Sequence, residues 1–219
     1  MIAENLRAVE TRLLAACARA QRPRASVELI AVSKLKPAAD IRTAYEAGQR
    51  NFGENYAQEL RDKTAVLSDL RGLRWHAIGP LQTNKAKYVA KSAHAFHALD
   101  RIEIAAELAR RRTLGALECF LEVNLAGEAS KQGVRPEDVR GLLEKVRTLP
   151  NLEVVGLMSL PPLTADPEDA RPYFRRLKVL AAELGLPGLS MGTTADFDVA
   201  VEEGATHVRV GTAIFGARA

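Results

Sequence analysis

The stretch Leu29-Ile30-Ala31-Val32-Ser33-Lys34-Leu35-Lys36-Pro37 decides the fold. Its first four residues are apolar without polar alternation, which is typical of a parallel strand covered on both faces. Pro37 suits the first turn of a helix, where its missing N–H is not needed. Lys34 therefore stands where a buried strand ends, at the edge where α/β folds place their chemistry. Taken alone, it could also be a surface lysine that snorkels into solvent.

Further apolar runs alternate with segments of helical spacing along the rest of the chain. Together with the first, the predicted strands cover residues 29–34, 51–55, 73–79, 95–99, 118–124, 152–158, 189–191 and 207–210. This pattern predicts an α/β protein with a single (β/α)₈ TIM barrel domain over residues 1–219. Residues 1–20 predict an additional N-terminal helix that covers one end. A doubly wound open sheet is the alternative, but it usually has a Gly-rich turn after its first strand.

The composition is that of an ordinary globular protein, with 47% hydrophobic and 26% charged residues. The net charge of +4 is small and spread along the chain, so we expect no nucleic-acid partner. The chain shows no membrane-length apolar run and no signal-peptide pattern, so we expect a cytoplasmic protein without membrane contact. Cys17 and Cys119 lack metal-ligand spacing, and no metal site is predicted.

The carboxyl ends of all barrel strands meet at one face, so the residues there can be considered together. They are Lys34, Glu54, Asn55, His76, Asp100, Asn124, Met158, 192–194 and 211–212. The last two segments contain small residues before helices, which favours phosphate binding. They follow strands seven and eight, the common phosphate position in this fold. A desolvated Lys34 opposite them could condense with an aldehyde as a Schiff base.

Several of these side chains have structural alternatives. Asn55 and Asp100 could cap the helices that follow them. His76 could be a hydrogen-bonded core histidine. Arg209 lies on the last strand and could pair with Glu122, because a buried arginine is costly without an acceptor.

Longer motifs carry a resemblance to a known family. They are AVSK and KP within 31–37, FGENY at 52–56, WH, IGPLQ and NK within 75–85, GLM at 156–158, LSMG at 189–192 and VRVGTAIFG at 208–216. With these motifs the chain resembles the pyridoxal phosphate homeostasis proteins, the YggS/PROSC family, over nearly its whole length. The resemblance implies a barrel like the N-terminal domain of alanine racemase, which binds pyridoxal 5′-phosphate (PLP) without a clear catalytic activity.

The resemblance also implies roles for individual residues. Lys34 matches the lysine that forms the internal aldimine, Asn55 lies beside the ring, and Arg209 faces the pyridine nitrogen. Thr194 and the segment 211–212 match phosphate contacts. The complete predicted cofactor site is Lys34, Asn55, His76, Met158, Thr194, Arg209, Gly211 and Thr212. Thr194 stands where the family usually has a serine, and the residue before it is Thr193 instead of the usual methionine.

The function implied by the resemblance is to carry or buffer PLP through a lysine Schiff base, in intracellular vitamin B6 and amino-acid homeostasis. Apo-PLP enzymes are the implied recipients, no catalytic residue is predicted, and we expect a monomer. A PLP-dependent amino-acid racemase of the single-barrel type is the alternative, and a sugar-phosphate barrel enzyme is a third hypothesis. Racemisation needs a second base, but the tyrosines 45, 56, 88 and 173 are all predicted in helices rather than at strand ends. An arginine at the ring nitrogen also weakens the ring as an electron sink.

Overall fold

The computed structural model of the chain describes residues 1–127, 132–162 and 164–217. Its strands are β1 (Glu28–Val32), β2 (Asn51–Glu54), β3 (Arg74–Ala77), β4 (Ala95–Leu99), β5 (Leu117–Glu122), β6 (Leu152–Met158), β7 (Gly188–Thr193) and β8 (His207–Val210). All pair in parallel in the order of the chain, and β1 closes the ring by pairing with β8, with Glu28 opposite His207. The predicted (β/α)₈ barrel is confirmed.

The helices are α1 (Ile2–Arg19), α2 (Ala38–Glu46), α3 (Ala57–Val66), α4 (Ala86–Ser92), α5 (Ile102–Arg111), α6 (Val139–Arg147), α7 (Arg171–Glu183), α8 (Phe197–Glu202) and α9 (Thr212–Phe215). Their apolar faces contribute fully buried side chains such as Leu60, Leu108 and Phe174. Because this helical layer covers the outer face of the barrel and side chains fill its interior, the strands read as continuous apolar runs.

Helix α1 packs against the side of the barrel. It contacts α2, α8 and α9, and Leu13 on its inner face is completely buried. Arg12 and Arg19 pair with Asp198 and Glu202 of α8, at 2.5 and 2.6 Å. The predicted N-terminal helix is confirmed, and its covering of one end of the fold stays a prediction. α1 thus packs on the short helices α8 and α9, which follow β7 and β8.

Asp100 does not cap α5, so that prediction is wrong. Arg101 is the residue before the helix, and no side-chain cap bond is made there. The Asp100 carboxylate accepts a hydrogen bond of 2.6 Å from the Arg101 guanidinium. The neighbouring cation therefore takes the oxygen that a helix cap would use.

None of the described helices combines the length and apolarity needed to cross a bilayer. Among the described residues, no three His, Cys, Asp or Glu side chains cluster as potential metal ligands. Cys17 and Cys119 are buried free thiols.

Candidate functional site

Lys34 lies in a turn that follows β1, and its side chain is half-buried. The preceding residue, Ser33, is completely buried, and its amide donates to the carbonyl of Gly53 at 3.0 Å. Leu35 has a φ of 61°, in the left-handed region that is unfavourable for a branched residue. Its amide donates to Glu59 Oε1 at 2.7 Å. Hydrogen bonds therefore hold the backbone on both sides of Lys34.

A buried ammonium group supports this turn from below. Lys63 of α3 donates to the Ser33 carbonyl at 2.7 Å, to Glu54 Oε1 at 2.8 Å and to Glu59 Oε1 at 2.7 Å. The Ser33 hydroxyl donates to the same Glu54 oxygen at 2.6 Å. Burial raises the pKa of Glu54 to about 7, and the charge of Lys63 opposes that rise. This cluster was not predicted from the sequence, although Glu59 and Lys63 have the spacing of a helical ion pair.

Lys36 has a different environment from Lys34. Its ammonium donates to the carbonyl oxygens of Phe215 and Ala217, at 3.0 and 2.9 Å. Phe215 is the last residue of α9, and lysine side chains commonly satisfy the open carbonyls at such an end. Lys36 therefore ties the turn after β1 to the segment after α9.

The turns after β7 and β8 contact each other directly. The amide of Gly211 donates to Thr194 Oγ1 at 3.1 Å. The amide and hydroxyl of Thr193 both donate to Asp196 Oδ1, at 2.6 and 3.0 Å, which gives this threonine a polar role. Gly192 has a φ of 91°, and a Cβ there would lie 2.5 Å from a carbon of α8. Only glycine fits at that point of the turn.

Close backbone contacts connect other parts of the rim. A Cβ on Gly211 would lie 3.4 Å from the carbonyl oxygen of Val32, so the turn after β8 lies beside the end of β1. A Cβ on Gly79 would lie 2.5 Å from the carbonyl oxygen of Asn55. Asn55 is thus held against the loop after β3. It does not cap α3, whose N-cap residue is Tyr56 without a side-chain cap bond.

Arg209 lies inside the barrel and is 5% exposed. Its guanidinium donates to Ser190 Oγ at 2.5 Å and to the Ser159 carbonyl at 3.0 Å. Burial lowers the pKa of Arg209 to about 10, and Glu122 opposes this change. Burial also raises the pKa of Glu122 to about 7, helped by the charge of Asp100 and opposed by Arg209. Glu122 thus acts on Arg209 through charge, while the two serines position the guanidinium.

His76 is fully buried inside the barrel, and both of its ring nitrogens have protein neighbours. Nδ1 lies 3.0 Å from His97 Nε2, and Nε2 lies 3.1 Å from Oδ1 of Asn51, the first residue of β2. This geometry favours the core-histidine alternative, and contact between His76 and a cofactor stays a prediction. Met158 is buried and pairs with Ser190 across β6 and β7, so it lies next to the Arg209 contact.

Tyr56 lies closer to this rim than a position within a helix would place it. It precedes α3, is 53% exposed, and lines a cavity of about 400 Å³ together with Asn55, Lys85 and Arg101. Thr212, the first residue of α9, is also exposed. The expectation that no tyrosine lies near a strand end is wrong, because α3 begins only at Ala57.

Comparisons with known proteins agree with this architecture. The family model of the alanine racemase N-terminal domain matches residues 5–219. A pyridoxal phosphate homeostasis protein of Pseudomonas aeruginosa is 48% identical over 221 residues, which cover 99% of this chain and 96% of that protein. The chain belongs to the pyridoxal phosphate homeostasis protein family. The resemblance found in the motifs is confirmed.

One further relative and one solved structure extend the comparison. The homeostasis protein of Aquifex aeolicus is 45% identical over 223 residues, covering 98% of this chain and 97% of that protein. The structure of PipY from Synechococcus elongatus with PLP bound has a TM-score of 0.86 and 39% identity, covering 99% of this chain and 100% of PipY. The likeness therefore includes the whole barrel and the helix α1.

Proposed function

We propose that this protein binds PLP reversibly at the rim of its barrel and holds the aldehyde on Lys34. PipY, which is 39% identical, has been solved with PLP bound. The relatives in Pseudomonas aeruginosa and Aquifex aeolicus are named pyridoxal phosphate homeostasis proteins. These relatives support a role in holding the cofactor, and the chemistry of the rim supports it independently.

The groups at the rim fit the parts of PLP. The Gly211 amide already donates to Thr194 Oγ1, so the Thr194 hydroxyl proton can be donated to a phosphate oxygen. The hydroxyl of Ser159 is buried and has no hydrogen-bond partner among the described residues, so it offers another polar group. Arg209 is a permanent donor, which suits an unprotonated ring nitrogen. When bound, PLP supplies an aldehyde and an electron-withdrawing ring.

The single observation that carries the proposal is the contact between the turns after β1, β7 and β8. Gly211 lies against Val32, two residues before Lys34, and it is hydrogen-bonded to Thr194. PLP has its aldehyde and its phosphate on neighbouring ring positions. A lysine turn beside a phosphate turn is therefore the arrangement that this cofactor requires.

Lys34 is the proposed amine for the aldehyde. Its nitrogen would replace the carbonyl oxygen, which leaves as water, and addition of water would reverse the step. Reversible binding of this kind would let the protein carry or buffer PLP in intracellular vitamin B6 and amino-acid homeostasis. We extend the proposal to apo-PLP enzymes as recipients and to a monomeric protein.

We further propose that the protein has no strong catalytic activity. An arginine donating to the ring nitrogen would keep that nitrogen unprotonated and would weaken the ring as an electron sink. The racemase alternative is kept because Tyr56 lies beside Asn55 at the rim. A sugar-phosphate barrel enzyme is the third candidate, since it would also use a lysine and a phosphate turn.

The absorption spectrum of the purified protein with PLP tests the proposal. We expect a Schiff-base band near the visible edge that borohydride removes, with the reduced cofactor fixed on the protein. The matched control is Lys34→Ala, which should bind PLP without this band. Absence of the band in the wild type would favour the sugar-phosphate enzyme.

A further inference from the structure

A chain of hydrogen bonds crosses the barrel interior from Arg209 to the opposite end of the strands. Ser190 Oγ lies 2.5 Å from the Arg209 guanidinium and 2.8 Å from His97 Nδ1. His97 Nε2 lies 3.0 Å from His76 Nδ1, and His76 Nε2 lies 3.1 Å from Asn51 Oδ1. We call Ser190, His97 and His76 the interior chain. All three of its residues are completely buried.

The rim end of the interior chain fixes the direction of its hydrogen bonds. An arginine has only N–H donors, so Ser190 Oγ accepts from Arg209. The Ser190 hydroxyl proton then points to its second neighbour, His97 Nδ1. His97 must therefore be bare at Nδ1 and, as a neutral ring, must carry its proton on Nε2. Burial lowers the pKa of His97 well below its ordinary value, which agrees with a neutral ring.

The other end of the interior chain gives the same direction. His76 Nε2 faces Asn51 Oδ1 and also lies 3.3 Å from Glu28 Oε1. Burial acts to raise the pKa of Glu28, but the hydrogen bond from His76 and the nearby Arg74 help to lower it overall. Two oxygen atoms around Nε2 require a proton there. Because His97 carries its proton on Nε2, His76 Nδ1 is the acceptor of the bond between the two rings.

Every donor in the interior chain thus points away from the rim, from Arg209 towards Glu28. We propose that Ser190, His97 and His76 are positioning residues, which hold the Arg209 guanidinium in one orientation towards the ring nitrogen of the bound cofactor. This inference rests on the proposed function for the identity of the cofactor. Ser190 Oγ accepts from one terminal nitrogen of the guanidinium and the Ser159 carbonyl accepts from the other, so the plane of the guanidinium is fixed.

A serine hydroxyl is essential to this arrangement. It accepts from the arginine and donates to a bare ring nitrogen at the same time. If the hydroxyl is removed, His97 Nδ1 loses its donor and Arg209 keeps only the Ser159 carbonyl of its two acceptors. A histidine that merely fills the core would not respond to changes at Arg209, whereas a positioning chain would.

The first test uses the PLP-free wild-type protein labelled with ¹⁵N-histidine. We expect NMR to show His76 and His97 both protonated at Nε2 and bare at Nδ1. His94 is the internal reference, since its Nδ1 accepts from the Trp75 amide at 3.0 Å. A proton on Nδ1 of His97 or of His76 would reverse the direction of the chain and overturn the inference.

The second test is a double-mutant cycle with Ser190→Ala and Arg209→Met, read as the Kd for PLP. If Ser190 acts through Arg209, Ser190→Ala alone, with Arg209 present, should raise the Kd for PLP by about two- to tenfold. It should change Kd by less than about twofold in the Arg209→Met background, because residues coupled in one network are not additive. Equal effects in both backgrounds would overturn the positioning role. Absence of PLP binding in the wild type would count against the proposed function, and the NMR test would still decide the direction of the chain.

Discussion

The amide of Gly211 donates a hydrogen bond of 3.1 Å to Thr194 Oγ1, which joins the turn after β7 to the turn after β8. The bond fixes the threonine oxygen as an acceptor towards the protein. Its proton is therefore the part of the hydroxyl that a ligand can use. Two turns whose bonded residues are 17 positions apart in the sequence become one surface at the rim.

Thr194→Ala should weaken PLP binding without unfolding the protein. A hydrogen bond to a charged oxygen contributes about 1.5–3 kcal/mol, which corresponds to about tenfold or more in Kd. Thr194→Ser is the matched control, since it keeps the hydroxyl and should bind nearly as tightly as the wild type. Titration of the three proteins with PLP measures the effect. Unchanged affinity in Thr194→Ala would show that this turn does not hold the phosphate.

Lys34, and not Lys36, should carry the reduced cofactor after borohydride treatment. The Lys36 ammonium already donates to two backbone carbonyls, and breaking these bonds would cost stability. Peptide mapping of the reduced protein identifies the modified lysine. Lys36→Ala should still be labelled at Lys34, whereas Lys34→Ala should not be labelled at either position. Label on Lys36 in the wild type would contradict the assignment.

Lys63→Met should destabilise the protein strongly and should also weaken PLP binding. Removing one partner from a buried ion pair typically costs about 3–5 kcal/mol, and the Ser33 carbonyl loses its donor as well. Adding Glu54→Gln to Lys63→Met should restore part of the stability, because no buried carboxylate is then left unpaired at that position. Urea unfolding measures the stability of the single and the double variant, and titration with PLP measures the binding.

The control for Lys63→Met is Lys91→Met, which removes an exposed lysine at the end of α4. An exposed charge contributes little, so the change in stability should be within about 0.5 kcal/mol. If Lys63→Met and Lys91→Met had similar effects, the cluster under the Lys34 turn would be unimportant.

Glu122→Gln should stabilise the protein more at pH 8 than at pH 5. The folded wild type keeps the Glu122 proton up to about pH 7, whereas the unfolded chain loses it near the ordinary value of 4.5. The folded state therefore binds more protons between these values, and stability falls as pH rises. The gain over wild type should be larger at pH 8 by about 2–3 kcal/mol, from 1.36 kcal/mol per pKa unit. Denaturant unfolding at both pH values measures it, and a gain independent of pH would contradict the raised pKa.

Racemisation of L-alanine by the PLP-loaded protein should be far below an ordinary enzyme rate of about 1–10³ s⁻¹. Lys34 could serve one face of the substrate, and Arg209 would leave the ring a poor electron sink. Chiral analysis of the product measures the rate, with Lys34→Ala as the background. Tyr56→Phe tests the tyrosine beside Asn55. Rapid turnover that both substitutions abolish would make the protein a racemase.

The strands could be predicted from the sequence because each carries its own local signal. The ranges 95–99, 152–158 and 207–210 agree with β4, β6 and β8 residue for residue. A buried parallel strand is apolar whatever its neighbours are, so the run of side chains suffices. The order of strands then follows from alternation with helices, and the position of Lys34 at the rim follows from the order.

The interior contacts could not be predicted in this way. His97 and Ser190 are 93 residues apart in the chain, and their hydrogen bond depends on how the barrel closes. Alternation along β3 places His76 on the inner face, but it does not say towards which end of the barrel the ring points. Asp100 shows the same limit locally, since Arg101 competes for the carboxylate that a helix cap would use.

The pairing of β1 with β8 has a consequence for the order of folding. Glu28 can meet His207 only after β8 has been synthesised, so the seam between β1 and β8 cannot close before the other strands have been made. Until then β1 is an unpaired edge, and α1 lacks its partners α8 and α9. Contacts of such long sequence separation form slowly and leave partly folded chains prone to aggregation. The nascent protein therefore depends on its last two strand–helix units to protect its first strand.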